Sequence, residues 1–522
     1  MGTIRTAFET DASGLAGRLR PRDDVLVLEA VTPSAPDAAD TGAADGAAGP
    51  TDGGTRTFDG IDGPFHRYRR TVAWTAPGAD GVVRGEESVD WALSFPYWQW
   101  MYRPVMGRAL RRGIPHGVQP WWIFPDRLSP RQSTVVATMA LFNVVAGLLF
   151  GLLTQVLTFA DADIGDGSSG QQAAIFAVVR IGVLVTVVAM FFADRVGRRR
   201  VALWSFGLAA VLTVTTAAAP GLAVLTGLQL LSRNLAIAGL LAVDTISVEE
   251  LPAGSRAMAS GLGAMAYGLG AGIVVVSLPL ADVAPWGWRL TFLVSAVTIP
   301  LIWSAARKLP ESRRFQRMAD EQPTIEGRRI RGGRFALLAG MFFLLNVFVA
   351  PASQLQNDYL RADRGFSGST ITIFILLTST PGAIGVIVGG RWADTRGRRS
   401  AIIPGLLAVG VFNAVFFSVA GVPMWVSSLL GSVMGGLCVA ALGVLGPELF
   451  PTARRGGVRG ALTAIAVVGS VVGLLSAGVF VDRNGYGPTF IVLALGPIIA
   501  AGLAFAVPET SRRELEDINR AE

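Results

Sequence analysis

Three short charged motifs each occur twice in this chain, at nearly the same offset. Asp194-Arg195-Val196-Gly197-Arg198-Arg199 is echoed by Asp394-Thr395-Arg396-Gly397-Arg398-Arg399, 200 positions on. Glu249-x-x-Pro252-x-x-x-Arg256 is echoed by Glu448-x-x-Pro451-x-x-x-Arg455, 199 on. Pro310-Glu311-Ser312 is echoed by Pro508-Glu509-Thr510, 198 on. A near-constant period means two homologous halves. The stretches between the motifs are apolar and long enough to cross a bilayer. A doubled set of membrane helices punctuated by charge is the layout of a secondary transporter with its site between the repeats.

Composition agrees. The chain is 51% hydrophobic and 16% charged, with mean hydropathy +0.49, too apolar for a soluble protein of 522 residues. The net charge of +7 does not imply nucleic-acid binding, because the arginines flank membrane helices, where cytoplasmic loops carry them. Cys438, the one cysteine, lies in an apolar run and excludes an intrachain disulfide. His66 and His116 lie outside the spans and form no metal-ligand pattern. No phosphate-binding Gly-rich loop with Lys is present, which argues against ATP drive. The pattern calls for no cofactor and no covalent chemistry. Residues 1–30 lack a basic start followed by an apolar core, so no cleavable signal peptide is expected.

A spanning helix needs about 20 mostly apolar residues. Twelve candidates follow: 134–159, 172–193, 201–219, 221–243, 257–281, 288–306, 334–355, 369–391, 400–420, 421–446, 461–481 and 489–507. The expected fold is an all-α membrane protein of twelve transmembrane helices. They form two six-helix pseudo-symmetric bundles, 134–306 and 334–507, joined by a central cytoplasmic loop, 307–333. Residues 508–522 form a cytoplasmic tail. Arginines concentrate in the loops after even-numbered helices, which places that side and both termini in the cytoplasm of a plasma-membrane protein. The acidic loop Asp161–Asp166 then faces outward.

Residues 1–133 form a small N-terminal cytoplasmic extension. Residues 33–55 read as disordered, being Ala, Gly, Asp, Pro, Ser and Thr without aromatics. Residues 66–76 and 82–95 alternate like strands around Pro77–Gly81, as in a hairpin. Residues 96–124 interleave Trp98, Trp100, Trp121 and Trp122 with Arg103, Arg108, Arg111 and Arg112. That mixture suits either the inner headgroup region or the core of a small soluble domain.

With these motifs in hand, residues 134–520 resemble the major facilitator superfamily. Its hallmark between helices two and three, Gly-x-x-x-Asp-Arg-x-Gly-Arg-Arg, is matched by Asp194, Arg195, Gly197, Arg198 and Arg199, with Met190 in place of the glycine. The second copy keeps Gly390, Asp394, Gly397, Arg398 and Arg399, with Thr395 at the first arginine position. Pro310–Phe315, Pro447–Thr452, and Pro508-Glu509-Thr510 with Leu515-Glu516-Asp517 are similar to signatures of the sugar porters. The resemblance implies alternating access with a cytoplasmic gate. Arg and carboxylate pairs at helix ends give a bistable contact of at most a few kcal/mol, which solute binding can bias. The gating set is Asp194, Arg195, Gly197, Arg198, Arg199, Glu249, Arg256, Gly390, Asp394, Gly397, Arg398, Arg399, Glu448 and Arg455. Asp194 and Asp394 are expected near helix N-termini, where a carboxylate is favoured.

The resemblance also implies a cavity lined by helices one, four, seven and ten. Candidate solute contacts are Asn143 and Gln155 on helix one and Arg233 and Asn234 on helix four. Helix seven adds Asn346, Gln354, Gln356 and Asn357, and Arg180 sits inside helix two. An arginine at that depth is costly and faces a cavity or a counter-group. Helix one, taken as 134–159, holds no acid, so the usual symporter carboxylate is missing and proton coupling stays open. The expectation is a secondary active or facilitative transporter of a small polar organic solute, a sugar or organic acid, acting as a monomer in the lipid bilayer. The alternatives are an organic anion exporter and a transporter-like receptor that binds without flux.

The orientation is testable with single cysteines at Ser168 and Ser312 in a Cys438→Ala background. An impermeant thiol reagent added to whole cells should label the first and spare the second. The reverse pattern would overturn the topology.

Overall fold

The computed structural model describes residues 2–32, 52–113, 120, 122–124, 126–252, 255–311, 332–449 and 455–509. The first hundred residues fold as a sheet, an exception to the all-α expectation. Strands β1 (Gly2–Thr10), β2 (Leu28–Val31), β3 (Gly54–Asp62), β4 (Phe65–Trp74) and β5 (Val83–Leu93) pair antiparallel in the order β1-β5-β4-β3-β2. The β4–β5 hairpin turns at Pro77–Gly81, where Gly78 N–H donates to Val82 O at 3.1 Å and Gly81 adopts φ +72°. Of the segment 33–55, residues 33–51 lie outside the described residues, and Gly54 opens β3.

One face of the sheet packs Phe8, Phe58, Val72 and Val83 against Leu15 of helix α1 (Ala12–Arg18). Between Phe58 and Val72, β4 places Arg70 in this core at 2% exposure. Its guanidinium binds Glu29 at 2.6 Å, donates to the carbonyls of Arg18 and Arg20 at 2.8 Å each, and stacks 4.2 Å over Phe58. A buried ion pair is tolerated when its remaining hydrogen-bonding groups are also used, as here.

Helix α2 (Gln99–Arg112) covers the other face with Met106 and Leu110. Tyr97, just before it, is a non-glycine residue at φ +72°, a conformation that costs of order 1–3 kcal/mol. Tertiary contacts hold it there. Its hydroxyl meets Ser304 Oγ at 2.9 Å and Lys308 Nζ lies 4.5 Å from its ring. Trp98 Nε1 donates to Ala137 O at 2.9 Å, and Arg127 pairs with Asp23 at 2.5 Å. The sheet domain is thus docked onto the first helical half.

That half begins with α3 (Pro130–Ile164), capped at Ser129 by a reciprocal bond with Gln132. Then come α4 (Ser169–Ile181), α5 (Val183–Val196), α6 (Arg198–Thr216), α7 (Leu222–Glu250), α8 (Arg256–Ser277), α9 (Trp288–Val294) and α10 (Thr298–Ala306). The second half holds α11 (Gly332–Gln354), α12 (Gly368–Thr378), α13 (Gly382–Arg396), α14 (Arg398–Ser418), α15 (Val422–Leu449), α16 (Arg455–Asn484), α17 (Tyr486–Leu493) and α18 (Leu495–Ala504). Among the described residues, ten helical segments are long and apolar enough to cross a membrane. The remaining two predicted spans are helical but lie outside that set: one is interrupted at Gly182, and the other opens on Arg198, Arg199 and Arg200.

The repeat is visible in the packing. A Cβ on Gly182 would come within 2.3 Å of Asn234 Nδ2, and one on Gly382 within 2.3 Å of Ser432 Oγ. These glycines stand 200 positions apart and mark equivalent helix breaks. Elsewhere backbones touch through glycine, as where Gly147 and Gly270 seat α3 on α8. Trp204, Met265, Ile387 and Val422 are more than two-thirds exposed, as residues facing hydrocarbon would be.

Candidate functional site

The charged motifs fold locally before they act globally. Gly197 and Gly397 link α5 to α6 and α13 to α14 at φ +112° and +105°, which a side chain would resist. Both following helices therefore start abruptly, with their first N–H groups uncovered. A carboxylate from the third motif covers each. Glu311 Oε1 accepts from Arg199 N–H at 3.2 Å, and Glu509 accepts from Arg398 and Arg399 N–H at 2.7 and 3.2 Å. An anion suits a helix N-terminus. Asp194 and Asp394, expected in that role, instead lie in the last turns of α5 and α13. In the sequence Glu311 and Glu509 stand out as motif members, with nothing local to assign them this task. The missing signal was long-range: each lies more than a hundred residues from its helix.

Other motif side chains also bind within their own half. Arg198 pairs with Glu249 at 3.1 Å, and Arg199 donates to the carbonyls of Ala306 and Leu309 at 2.7 Å each. Arg131 bridges Glu250 at 3.0 Å and Glu311 O at 2.9 Å. Gly390 is half-buried in α13. The side chains of Asp194, Arg195, Arg256, Asp394, Glu448 and Arg455 lie outside the described set, as do Ser312 and His116.

At the opposite end the two halves touch. Asn357 Nδ2 donates to Gln155 Oε1 at 2.7 Å. Gly170 N–H donates to Asp482, and Gly368 N–H to Asp282 at 2.9 Å. Thr372 donates to Val275 O at 2.7 Å. These four contacts lie on the side of the acidic segment 161–166, so the halves meet there.

Between these ends sit the two deep arginines. Arg233 is 5% exposed, donates to Thr154 Oγ1 at 3.2 Å, and stacks 3.5 Å from the Phe150 ring. Thr154 in turn donates to Gln354 Oε1 at 3.1 Å, across the halves. Arg180 donates to Ser470 Oγ at 2.8 Å, which lies 3.3 Å from Asn346 Oδ1. Among the described residues, neither arginine meets a carboxylate within ion-pair distance. The links Arg233–Thr154–Gln354 and Arg180–Ser470–Asn346 thus form a polar seam between the halves, to which Asn357–Gln155 adds a third. Gln356 is half-buried on the same segment.

Two predicted contacts do other work. Asn234 Nδ2 binds the carbonyls of Val179 and Leu230 at 2.9 and 2.8 Å, tying α7 to α4. Asn143 binds Met139 O at 3.0 Å and reaches Asp244 at 3.5 Å. Ser470 and Phe150 were not foreseen, since one serine or phenylalanine in an apolar helix carries no periodic signal.

This geometry places a polar seam between two sets of helices, ten segments of which are long and apolar enough to cross a membrane among the described residues. The Major Facilitator Superfamily profile matches residues 336–521. The inner membrane metabolite transport protein YhjE of Escherichia coli is 24% identical over 58% of this chain and 76% of its own length. The cis,cis-muconate transport protein of Acinetobacter baylyi is 22% identical over 48% of this chain and 64% of its own length. The chain spans 58% of a Haemophilus influenzae relative at 23% identity. The inward-open xylose transporter XylE from Escherichia coli shares the fold, with a TM-score of 0.62 at 15% identity over 75% of this chain and 99% of that one. Residues 336–521 thus match the superfamily's profile, and the chain resembles its sugar porters and metabolite symporters.

Glu509→Ala removes the anchor at the start of α14. Loss of such a cap costs about 1 kcal/mol, so the amides of Arg398 and Arg399 should exchange hydrogen about fivefold faster. Unchanged exchange, read by mass spectrometry on the purified protein, would contradict the anchoring role.

Proposed function

We propose that this chain moves a small polar organic acid across the plasma membrane by alternating access, through twelve spans arranged as two six-helix bundles. The observation that carries the acid reading is the pair Arg233, buried, and Arg180, half-buried, beside hydroxyls and a ring. An uncompensated cation in a membrane interior costs roughly several kcal/mol unless a counter-charge or water reaches it. A carboxylate or phosphate on the solute supplies that counter-charge in the loaded state. The name of the Acinetobacter relative, a muconate transport protein, points to the same chemistry.

The positive-inside rule supports both termini, the sheet domain and the 307–333 loop in the cytoplasm. The structure is then closed outside. We assign gating to the motif charges, with Asp194 and Asp394 biasing the conformational equilibrium rather than touching solute. A second reading, a neutral sugar, is supported by the amides of Gln155, Asn346, Gln354 and Asn357 and by the likeness to XylE. The sense of transport, uptake or export, follows the gradients. The transporter acts as a monomer, and a receptor that binds without flux is the remaining alternative.

Arg180→Gln tests the charge assignment. The variant should insert normally yet bind the preferred acid about tenfold more weakly, a loss of about 1.4 kcal/mol. Competing anions should weaken the wild type and leave the variant less affected. A neutral preferred solute, bound equally by wild type and variant, would return the arginine to a structural role.

A further inference from the structure

The segment that interleaves tryptophan with arginine finds two different surroundings in the fold. Trp98 leaves the sheet domain. Its ring packs against Ala140 and Val144 of α3 and Ala266 of α8, and its Nε1 donates to Ala137 O at 2.9 Å. All four positions lie within the predicted spans 134–159 and 257–281, and Met265, beside Ala266, is exposed as a lipid-facing residue would be. Trp98 therefore reaches membrane depth. Ser94 O is held by Thr134 Oγ1 at 3.3 Å, which ties the preceding turn to α3 as well.

The next helix presents its free face at the same place. Met106 and Leu110 turn α2 towards the sheet. By helical periodicity Trp100, Met101, Arg108, Arg111 and Arg112 fall on the opposite face, and all five are exposed, Trp100 at 73%. Helix α2 carries four arginines and no acid. The acids nearest to α2 and Lys308 in sequence are committed elsewhere: Asp90 accepts from Thr3, Asp126 from Ser255, and Glu311 from the start of α6.

Between this helix and α10 lies an open cleft of about 650 Å³, whose lining includes His66, Tyr97, Gln99, Trp100, Thr134 and Lys308 and no carboxylate. Lys308 Nζ stands 4.5 Å from the Tyr97 ring. Arg307 stacks 5.4 Å from the ring of Trp303, and all three of Trp303, Arg307 and Lys308 are exposed. Tryptophan followed by basic residues at the end of a span marks the headgroup level. The cleft thus opens where α10 leaves the membrane.

We propose that this cleft binds the headgroup of an anionic phospholipid of the inner leaflet, a placement that rests on the cytoplasmic location of the sheet domain given above. Lys308 meets the phosphate. Trp98 and Trp100 lie beside the upper acyl chain, and Arg108 and Arg111 draw further anionic headgroups to α2. Lipid, rather than a soluble anion, is the occupant because the cation and the exposed rings stand together at the end of a span, within reach of a molecule that never leaves the bilayer. The bound lipid touches the sheet domain and α10 at once, so it reinforces the docking that holds Tyr97.

Local quenching tests this. A bimane fluorophore is placed at Met101→Cys in a Cys438→Ala background, and the purified full chain is reconstituted in phosphatidylcholine vesicles. The quencher is phosphatidylglycerol or phosphatidylcholine carrying a nitroxide on its acyl chain. At equal dose the anionic lipid should quench about fivefold more effectively, the effect of about one basic contact at a membrane surface. The same fluorophore at Ile387, exposed on the second half, should be quenched equally by both. Lys308→Gln should remove most of the preference at Met101, and Arg108→Gln with Arg111→Gln should lower it in a separate variant. Equal quenching at Met101 would refute the site, as would a preference kept in both variants. Relief of quenching by added inorganic phosphate would assign the cleft to a soluble anion and overturn the lipid. The quenchers occupy both leaflets, so sidedness is read separately. Reversed labelling at Ser168 and Ser312 beside an intact preference would overturn the inner-leaflet placement and leave the lipid site.

Discussion

Each half of this molecule is closed on itself by a carboxylate laid across the start of a helix. Glu311 does this for α6 and Glu509 for α14. The arrangement depends on the two positive-φ glycines, because only a chain that turns that sharply leaves bare N–H groups for a distant acid to reach. It also fixes the last residues of each bundle to its second and third predicted spans. Two such self-contained units can rock against each other without unwinding. That division is what alternating access requires, and it explains why the described motif contacts stay within a half.

The sheet domain obeys the same division. Trp98 and Tyr97 both engage the first half, at α3 and α10, and Arg127, just before α3, binds Asp23 of the sheet domain. Docking is firm enough to hold Tyr97 in a left-handed backbone conformation, which a loosely tethered extension would relax.

What the sequence disclosed follows from the range of the interactions involved. The doubled motifs, the apolar stretches and the β4–β5 hairpin are local patterns, and they were legible. The strands β1 and β2 were not, because β1 pairs with a strand eighty residues away and Glu29 of β2 stands buried where alternation calls for an apolar residue. Asn143 and Asn234 look like cavity residues in sequence, but each folds back onto the carbonyl four positions earlier, a choice set by packing. Helix one was expected to hold no acid, but α3 runs on to Ile164 and buries Asp161. The deep arginines were legible as anomalies, since a charge inside an apolar stretch stands out. Their hydroxyl neighbours were not.

The central claim is that a charged solute crosses between the halves at the arginine seam. Counterflow in proteoliposomes reads this directly. Vesicles loaded with an unlabelled solute should draw in the labelled form against its gradient for small carboxylic or phosphorylated acids, and not for xylose or other neutral sugars. Exchange confined to neutral sugars would contradict the claim, and acid binding with no exchange at all would show a receptor rather than a transporter.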